Sequence, residues 1–145
     1  MMVNVGHNSQ QVKRGSVLEG EPVKSGLHAI VWQLIFYFTL SVVMVFALLP
    51  TSGVPGFPGQ DKLMHLMVFS VLFMLGAKGH PGLVSRKWLY LYLGLLFYGL
   101  LMEFLQGQTS YRSMEVWDLV ADGLGLIVGH CCLMLYSTIR VFKSF

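Results

Sequence analysis

The sequence predicts an all-α protein, a bundle of four transmembrane helices with both termini in the cytoplasm. Its 145 residues are 54% hydrophobic and only 12% charged, and the mean hydropathy is +0.63, which lies outside the range of ordinary soluble domains. The apolar residues form four long stretches separated by Gly, Pro and charged residues. The net charge of +3 comes from scattered bases rather than a basic run, so we predict no nucleic-acid partner.

Each apolar stretch is long enough for a helix, rising about 1.5 Å per residue, to cross a hydrocarbon core of about 30 Å. The predicted helices cover about residues 29–49, 61–77, 88–106 and 115–138. They form a membrane domain over residues 27–139. We expect a flexible polar tail over residues 1–26, which lack apolar periodicity, and a short basic tail over residues 140–145. The Pro- and Gly-rich segment 50–60 is predicted to be a surface loop.

The orientation follows from an uneven distribution of Lys and Arg between the two sides. One side holds Lys13, Arg14, Lys24, Lys78, Arg86, Lys87, Arg140 and Lys143. The other side holds only Lys62 and Arg112. Because basic residues are retained on the cytoplasmic side of a membrane, the side with more bases is predicted to be cytoplasmic, and it includes both termini.

Carboxylates collect on the predicted outer side. The outer acids are Asp61, Glu103, Glu115, Asp118 and Asp122. Counting helical rise from the cytoplasmic helix ends places His65, Glu103 and Asp122 about 20–27 Å from the cytoplasmic side. This depth is just below the outer boundary of the hydrocarbon core of the membrane. Ionisable groups at that depth are costly, and they are functional candidates by default.

Helical spacing places these polar residues on shared faces. The pairs at i,i+3 or i,i+4 are Asp61 with His65, Glu103 with Gln106, and Asp118 with Asp122. Three polar faces at one depth would otherwise contact lipid, so we expect them to converge in a polar cleft that opens outward beneath the Arg112 loop. The residues predicted to line this cleft are Asp61, Lys62, His65, Glu103, Gln106, Arg112, Asp118 and Asp122.

Several of these residues have both a functional and a structural interpretation. His65 and Glu103 are candidates for acid–base catalysis. Alternatively, His65 is a packing histidine, and Glu103 forms a structural ion pair with Arg112 or Lys62. Asp61 fits an N-cap as well as a cleft residue. Arg112 is suited to gripping a phosphate or carboxylate, whereas Lys62 is predicted to neutralise the surrounding acids.

No established catalytic or metal-binding signature is present. The sequence lacks a nucleophile elbow, a Walker A loop, a dinucleotide-binding motif and a zinc-protease motif. His65 with Glu103, Asp118 or Asp122 offers ligand types that metals accept, but without a signature we predict no metal and no cofactor. Whether the protein is an enzyme is left open by these residues.

The fourth predicted helix carries two further features. Gly125 and Gly129 form a small-x-x-x-small pair that lets another helix approach closely, with a homodimer through this face as the alternative. Cys131 and Cys132 are adjacent within an apolar run and match no metal, redox or disulfide spacing. His130 lies deeper in the same helix, where we expect it to serve packing.

The order of these motifs resembles that of the VanZ-like family of small bacterial membrane proteins. The resemblance covers about residues 61–130 and rests on Asp61-Lys62-x-x-His65, Glu103-x-x-Gln106, Arg112-Ser113 and Asp118-x-x-Ala121-Asp122-x-x-Gly125-x-x-x-Gly129. The family usually has Asn where this chain has Asp122. A carboxylate only accepts hydrogen bonds whereas an amide also donates them, so the resemblance assigns Asp122 no role.

The resemblance implies a multi-pass protein of the bacterial cytoplasmic (inner) membrane and cell envelope. The family's name-giving member is associated with reduced sensitivity to the glycopeptide antibiotic teicoplanin. We therefore expect an outward cleft that binds a lipid-linked cell-wall component or a lipoglycopeptide, with membrane lipids as the surrounding partners. One alternative is a membrane enzyme using His65 and Glu103 on an envelope lipid, and another is a structural protein whose buried charges only fix helix packing.

Overall fold

The computed structural model describes residues 21–50, 57–80, 88–110 and 112–143. These residues form four α-helices and no strand. The helices are α1 (Glu21–Leu48), α2 (Gln60–Gly79), α3 (Trp88–Gly107) and α4 (Val116–Phe142). Each contains a segment long and apolar enough to cross a membrane. The predicted all-helical, four-span class is confirmed, and the four apolar helices indicate a multi-pass membrane protein.

All four helices are longer than predicted, most clearly at the start of α1 and at the end of α4. α1 begins at Glu21 rather than at residue 29, and α4 ends at Phe142 rather than at residue 138. Bilayer thickness limits the apolar part of a helix but not the helix itself, so polar turns continue beyond the span. Pro22 does not prevent the early start, because a first-turn residue has no intrahelical use for its N–H. Of the tail predicted over residues 1–26, residues 21–26 belong to α1, and residues 1–20 lie outside the described residues, as do segments 51–56 and 81–87.

The most extensive helix contact joins α2 to α4. A Cβ atom added at Gly125 would lie 2.5 Å from the carbonyl oxygen of Leu66, and one added at Gly129 would lie 2.5 Å from the carbonyl oxygen of Ser70. The Ser70 hydroxyl donates to the Leu66 carbonyl at 2.7 Å or to the Gly125 carbonyl at 2.9 Å. The glycine pair therefore faces α2 of the same chain and holds the two backbones close together.

α2 also supplies most of the apolar core. Phe69, Leu72 and Phe73 are fully buried, and Leu126 of α4 packs into the same cluster. α1 contributes a single buried residue among its described side chains, Phe36. Leu40, Val43, Met44 and Ala47 pack partly against the core, and the exposed apolar residues of α1, such as Leu34, Phe38 and Phe46, form an outer surface that suits contact with lipid chains.

An aromatic cluster lies at the end of the bundle formed by the start of α3. The His130 ring stacks on Trp88 with centroids 4.7 Å apart and planes 6° from parallel. Its Nδ1 shares a hydrogen bond of 2.8 Å with the Tyr92 hydroxyl. His130 thus has a packing role. Cys131 and Cys132, next to it, are exposed free thiols.

The close approach of α2 and α4 gives a stability prediction. We expect Gly125→Ala and Gly129→Ala each to lower the free energy of unfolding in detergent by about 1–3 kcal/mol, because the added methyl group meets a backbone carbonyl that cannot move independently. Gly94→Ala is the matched control, since a Cβ there meets nothing within 4 Å. Equal stability of all three variants would contradict the packing described.

Candidate functional site

Three helices and one connection bring the predicted polar residues together at one end of the bundle. The first turns of α2, the last turns of α3, the first turns of α4 and the connection before α4 contribute to it. We call this group the polar cluster. It consists of Asp61, Lys62, His65, Glu103, Gln106, Arg112, Glu115, Asp118 and Asp122. All eight predicted cleft residues belong to it.

Five members of the polar cluster are deeply buried. The relative exposures are 6% for His65, 1% for Glu103, 2% for Gln106, 2% for Asp118 and 0% for Asp122. The Asp61 and Lys62 side chains remain partly exposed, at 45% and 39%. Charged groups are buried in this way only where partners offset the loss of water. The arrangement of those partners therefore determines what the cluster can do.

His65 lies at the centre of the cluster. Its Nδ1 is 2.8 Å from Oδ1 of Asp122, and its Nε2 is 3.7 Å from Oε1 of Glu103. The ring also stacks on Phe69, with planes 4° from parallel. A hydrogen bond from Nδ1–H to the Asp122 carboxylate fixes the ring and turns Nε2 toward Glu103. Asp122, to which the family resemblance assigns no role, is therefore the residue that orients His65.

Glu103 does not form the ion pair expected of it. Its Oε2 accepts the backbone N–H of Glu115 at 3.2 Å, and its other oxygen faces His65. The structural alternative that paired Glu103 with Arg112 or Lys62 is wrong, because both bases have other partners nearer the end of the bundle. Glu103 instead ties the end of α3 to the start of α4.

Arg112 joins α1 to α2. Its Nη2 donates to Oδ1 of Asp61, and its Nη1 donates to the carbonyl oxygen of Ala47 at 3.2 Å. Gln106 Nε2 donates to the same carbonyl at 2.9 Å. Ala47 lies in the last turn of α1, where carbonyls lack intrahelical donors. Two side chains thus satisfy the free end of α1 and hold it against the cluster.

Asp61 is not the cap of α2. The N-cap is Gly59, with φ 84° and no side-chain cap bond. That positive φ favours glycine, which has no Cβ to clash. The helix begins one residue earlier than predicted, at Gln60, so Asp61 lies in its first turn with its carboxylate on Arg112. The N-cap interpretation of Asp61 is therefore wrong.

Lys62 neutralises acids of α4. Its Nζ is 2.7 Å from Oε2 of Glu115 and 3.4 Å from Oδ1 of Asp118. Glu115 precedes the first residue of α4, so this pair ties the beginnings of α2 and α4 together. In the sequence Glu115 is only one of five outer acids, whereas in the structure its N–H binds Glu103 and its carboxylate binds Lys62.

Gly99 makes room for Asp122. A Cβ added at Gly99 would lie only 2.3 Å from Oδ2 of Asp122 and 3.1 Å from Cζ of Phe69. Sequence reasoning assigned no role to this residue. The available signal was its position on α3 one turn before Glu103, on the face that carries the buried acid. Any larger residue there would displace the carboxylate that holds His65.

A cavity of about 640 Å³ opens beside the polar cluster, between α1 and α2. Its polar lining comes from Gln60, Asp61, His65, Gln106 and Arg112. Its apolar lining includes Val42, Val43, Phe46, Met64, Val68, Phe69 and Met102. Ligand sites in proteins commonly have this size and this mixture of apolar walls with a few polar groups.

The comparisons with known proteins identify no relative. Neither the family models, the curated proteins nor the solved structures include a match to this chain. The function is therefore argued from the geometry of the cluster and from the cavity beside it.

The packing of Gly99 against Asp122 predicts that substitutions at these two residues change the free energy of unfolding non-additively. We expect Gly99→Ala to lower the free energy of unfolding by about 1–3 kcal/mol, because its methyl group displaces the buried carboxylate. In an Asp122→Ala background the same change should cost clearly less, with a coupling of at least about 0.5 kcal/mol. Gly94→Ala, on the same helix, should be near neutral in both backgrounds. Additive effects of Gly99→Ala and Asp122→Ala would contradict the contact.

Proposed function

We propose that this chain is a VanZ-like protein of the bacterial cytoplasmic (inner) membrane that binds the polar head of an amphipathic envelope molecule. The ligand is a lipid-linked cell-wall component or a lipoglycopeptide, and its binding modulates sensitivity to teicoplanin-type glycopeptides. The single observation that carries the proposal is the cavity, which joins apolar walls to charged and hydrogen-bonding side chains in one space.

The cavity suits an amphipathic ligand because its two linings differ in kind. Val42, Val43 and Val68 form apolar walls that would contact a hydrocarbon chain. Phe46 and Met64 line the same space and are 67% and 50% exposed, so the cavity is open on their side. A lipid in the membrane therefore has access without crossing a packed core.

Arg112 is the group best placed to bind an anionic headgroup. Its guanidinium carries five N–H donors, and the bonds described above use one each to Ala47 and Asp61. Among the described residues its guanidinium makes no other bond, so the remaining N–H groups can bind a phosphate or carboxylate, which Arg binds bidentately. Gln106 is already committed to Ala47, so it serves mainly to position the end of α1.

The sidedness proposed for the cavity follows from the distribution of bases. Both termini are placed in the cytoplasm, because eight of the ten Lys and Arg residues fall on that side. The cavity then faces the outer leaflet, where lipid-linked wall precursors and glycopeptides are found.

An enzyme is the second candidate, and the Asp122–His65 pair favours it. A histidine fixed by a carboxylate at Nδ1 and lining a cavity has the arrangement of an oriented general base. Incubation of purified protein with labelled envelope lipids over a range of pH would show product only for the enzyme. Loss of turnover with retained lipid binding in His65→Ala would assign the chemistry to His65.

Filling the cavity without altering a charge tests the binding proposal. We expect Val68→Phe to weaken retention of labelled lipid-linked precursors in nanodiscs at least tenfold, because its ring occupies the apolar lining. The wild-type protein is expected to change the glycopeptide sensitivity of cells relative to cells that lack it. Cells that carry Val68→Phe should show little of that change. Arg112→Ala should reduce retention as well, since it removes the anion-binding donors.

The matched control is Val71→Phe, the same substitution on the same helix at a side chain that is 51% exposed and does not line the cavity. Val71→Phe should retain labelled lipid-linked precursors, and should affect glycopeptide sensitivity, to the same extent as the wild type. All variants are compared at equal membrane abundance, which separates loss of binding from loss of folded protein. Wild-type retention and sensitivity in both Val68→Phe and Arg112→Ala would refute the proposal.

A further inference from the structure

The charges of the polar cluster do not balance. The cluster contains five carboxylates, Asp61, Glu103, Glu115, Asp118 and Asp122, and two bases, Lys62 and Arg112. Lys62 is the only Lys or Arg between Gly26 and Ala77, and Arg112 is the only one between Trp88 and Ile139. Even a protonated His65 leaves two negative charges in excess. Three of the five carboxylates, Glu103, Asp118 and Asp122, are buried, and buried carboxylates in excess of positive charge require protons or a bound cation.

Three buried carboxylate oxygens also lack hydrogen-bond partners among the described residues. They are Oε1 of Glu103, Oδ1 of Asp118 and Oδ2 of Asp122. The Asp118 oxygen is 3.4 Å from Lys62, but that lysine has a closer partner in Glu115 at 2.7 Å. Buried polar atoms are nearly always satisfied in folded proteins. Within the part of the chain that the structure describes, these three oxygens are therefore open to a proton or a cation.

The orientation of His65 points to a cation. When Nδ1–H donates to Asp122, the Nε2 lone pair faces Oε1 of Glu103 at 3.7 Å. A lone pair and a carboxylate oxygen repel each other unless a proton or a metal cation lies between them. Histidines that ligate metals commonly donate their other ring N–H to a carboxylate in this way.

Three side chains offer ligand atoms close enough for one ion. Asp61, His65 and Asp118 each supply one such atom, and these atoms lie within 4.8 Å of one another. Metal–ligand bonds of about 2.0–2.2 Å place ligand atoms about 3–4 Å apart, so a contraction of about an ångström completes the site. Asp61 lies in the first turn of α2 and is partly exposed, which gives an ion a route from solvent.

We propose that Asp61, His65 and Asp118 form a binding site for one divalent transition-series cation, Zn²⁺ or Mn²⁺. Glu103 faces the same side of the imidazole and is placed to add an oxygen ligand, and Asp122 is the positioning residue for His65. An imidazole among carboxylates selects these ions over Ca²⁺ and Mg²⁺, which prefer oxygen ligands. The site goes beyond the envelope ligand proposed above and does not depend on it.

The test is cation binding to the full chain, purified in detergent without a polyhistidine tag and stripped with a chelator. Isothermal titration with ZnCl₂ and MnCl₂ should show one ion bound per chain for at least one of the two salts. MgCl₂ and CaCl₂ should bind at least tenfold more weakly. The bound ion should raise the midpoint of thermal unfolding, and EDTA should reverse the shift.

Two variants test the location of the site, and a third variant serves as the control. His65→Ala and Asp118→Asn should each weaken binding of the ion at least tenfold. Asp118→Asn keeps the side-chain shape, so it remains informative if His65→Ala fails to fold. His28→Ala, an exposed histidine of α1, should bind like the wild type. The titration contains no envelope lipid. A lack of cation binding therefore says nothing about the proposed envelope ligand, and a lack of lipid binding says nothing about the cation site.

Three results would overturn the cation site. The first is the absence of saturable Zn²⁺ or Mn²⁺ binding to the wild-type chain. The second is binding that survives both His65→Ala and Asp118→Asn. The third is a pair of melting results: neither ZnCl₂ nor MnCl₂ changes the midpoint of the wild type, and Asp118→Asn has a higher midpoint than the wild type. Protons shared between the carboxylates, rather than a cation, would then neutralise the excess negative charge.

Discussion

The hydrogen bond between His65 and Asp122 is the interaction on which the polar end of the bundle depends. It joins α2 to α4 at a point where both side chains are almost wholly removed from solvent. One partner without the other would leave a buried polar group unsatisfied, a loss of about 3–5 kcal/mol when the group is charged. The glycines that bring α2 and α4 together, and Gly99 on α3, leave the space in which this bond forms. Backbone packing and site chemistry are thus parts of one arrangement.

The fold could be predicted from the sequence because membrane spans depend on composition over about 20 residues, which is readable without knowing any contact. The membership of the polar cluster could also be predicted, since i,i+3 and i,i+4 spacing fixes which residues share a helix face. The individual partners could not. Whether Glu103 meets Arg112 or His65 depends on helix rotation and on a connection whose path no periodicity specifies. The N-cap interpretation of Asp61 is wrong for a related reason, because capping depends on which residue begins the helix.

The cluster divides its polar groups between holding the bundle and facing the cavity. Gln106 satisfies the end of α1, and the pairs Lys62–Glu115 and Glu103–Glu115 close the gap between the helix ends. Arg112 both holds the bundle and lines the cavity. His65 lines the cavity as well, and its ring is fixed from behind by Asp122. A guanidinium and an imidazole are thus presented to one space that also has apolar walls.

The most direct test of this account is a double-mutant cycle between His65 and Asp122. The free energies of unfolding of His65→Ala, Asp122→Ala and the double variant are measured in detergent against the wild type. The account predicts a coupling of at least about 1 kcal/mol, because each residue is the buried partner of the other. A reference cycle of Asp122→Ala with Tyr92→Phe, near the other end of the bundle, should be additive. Additivity within about 0.5 kcal/mol for His65 and Asp122 would contradict the account.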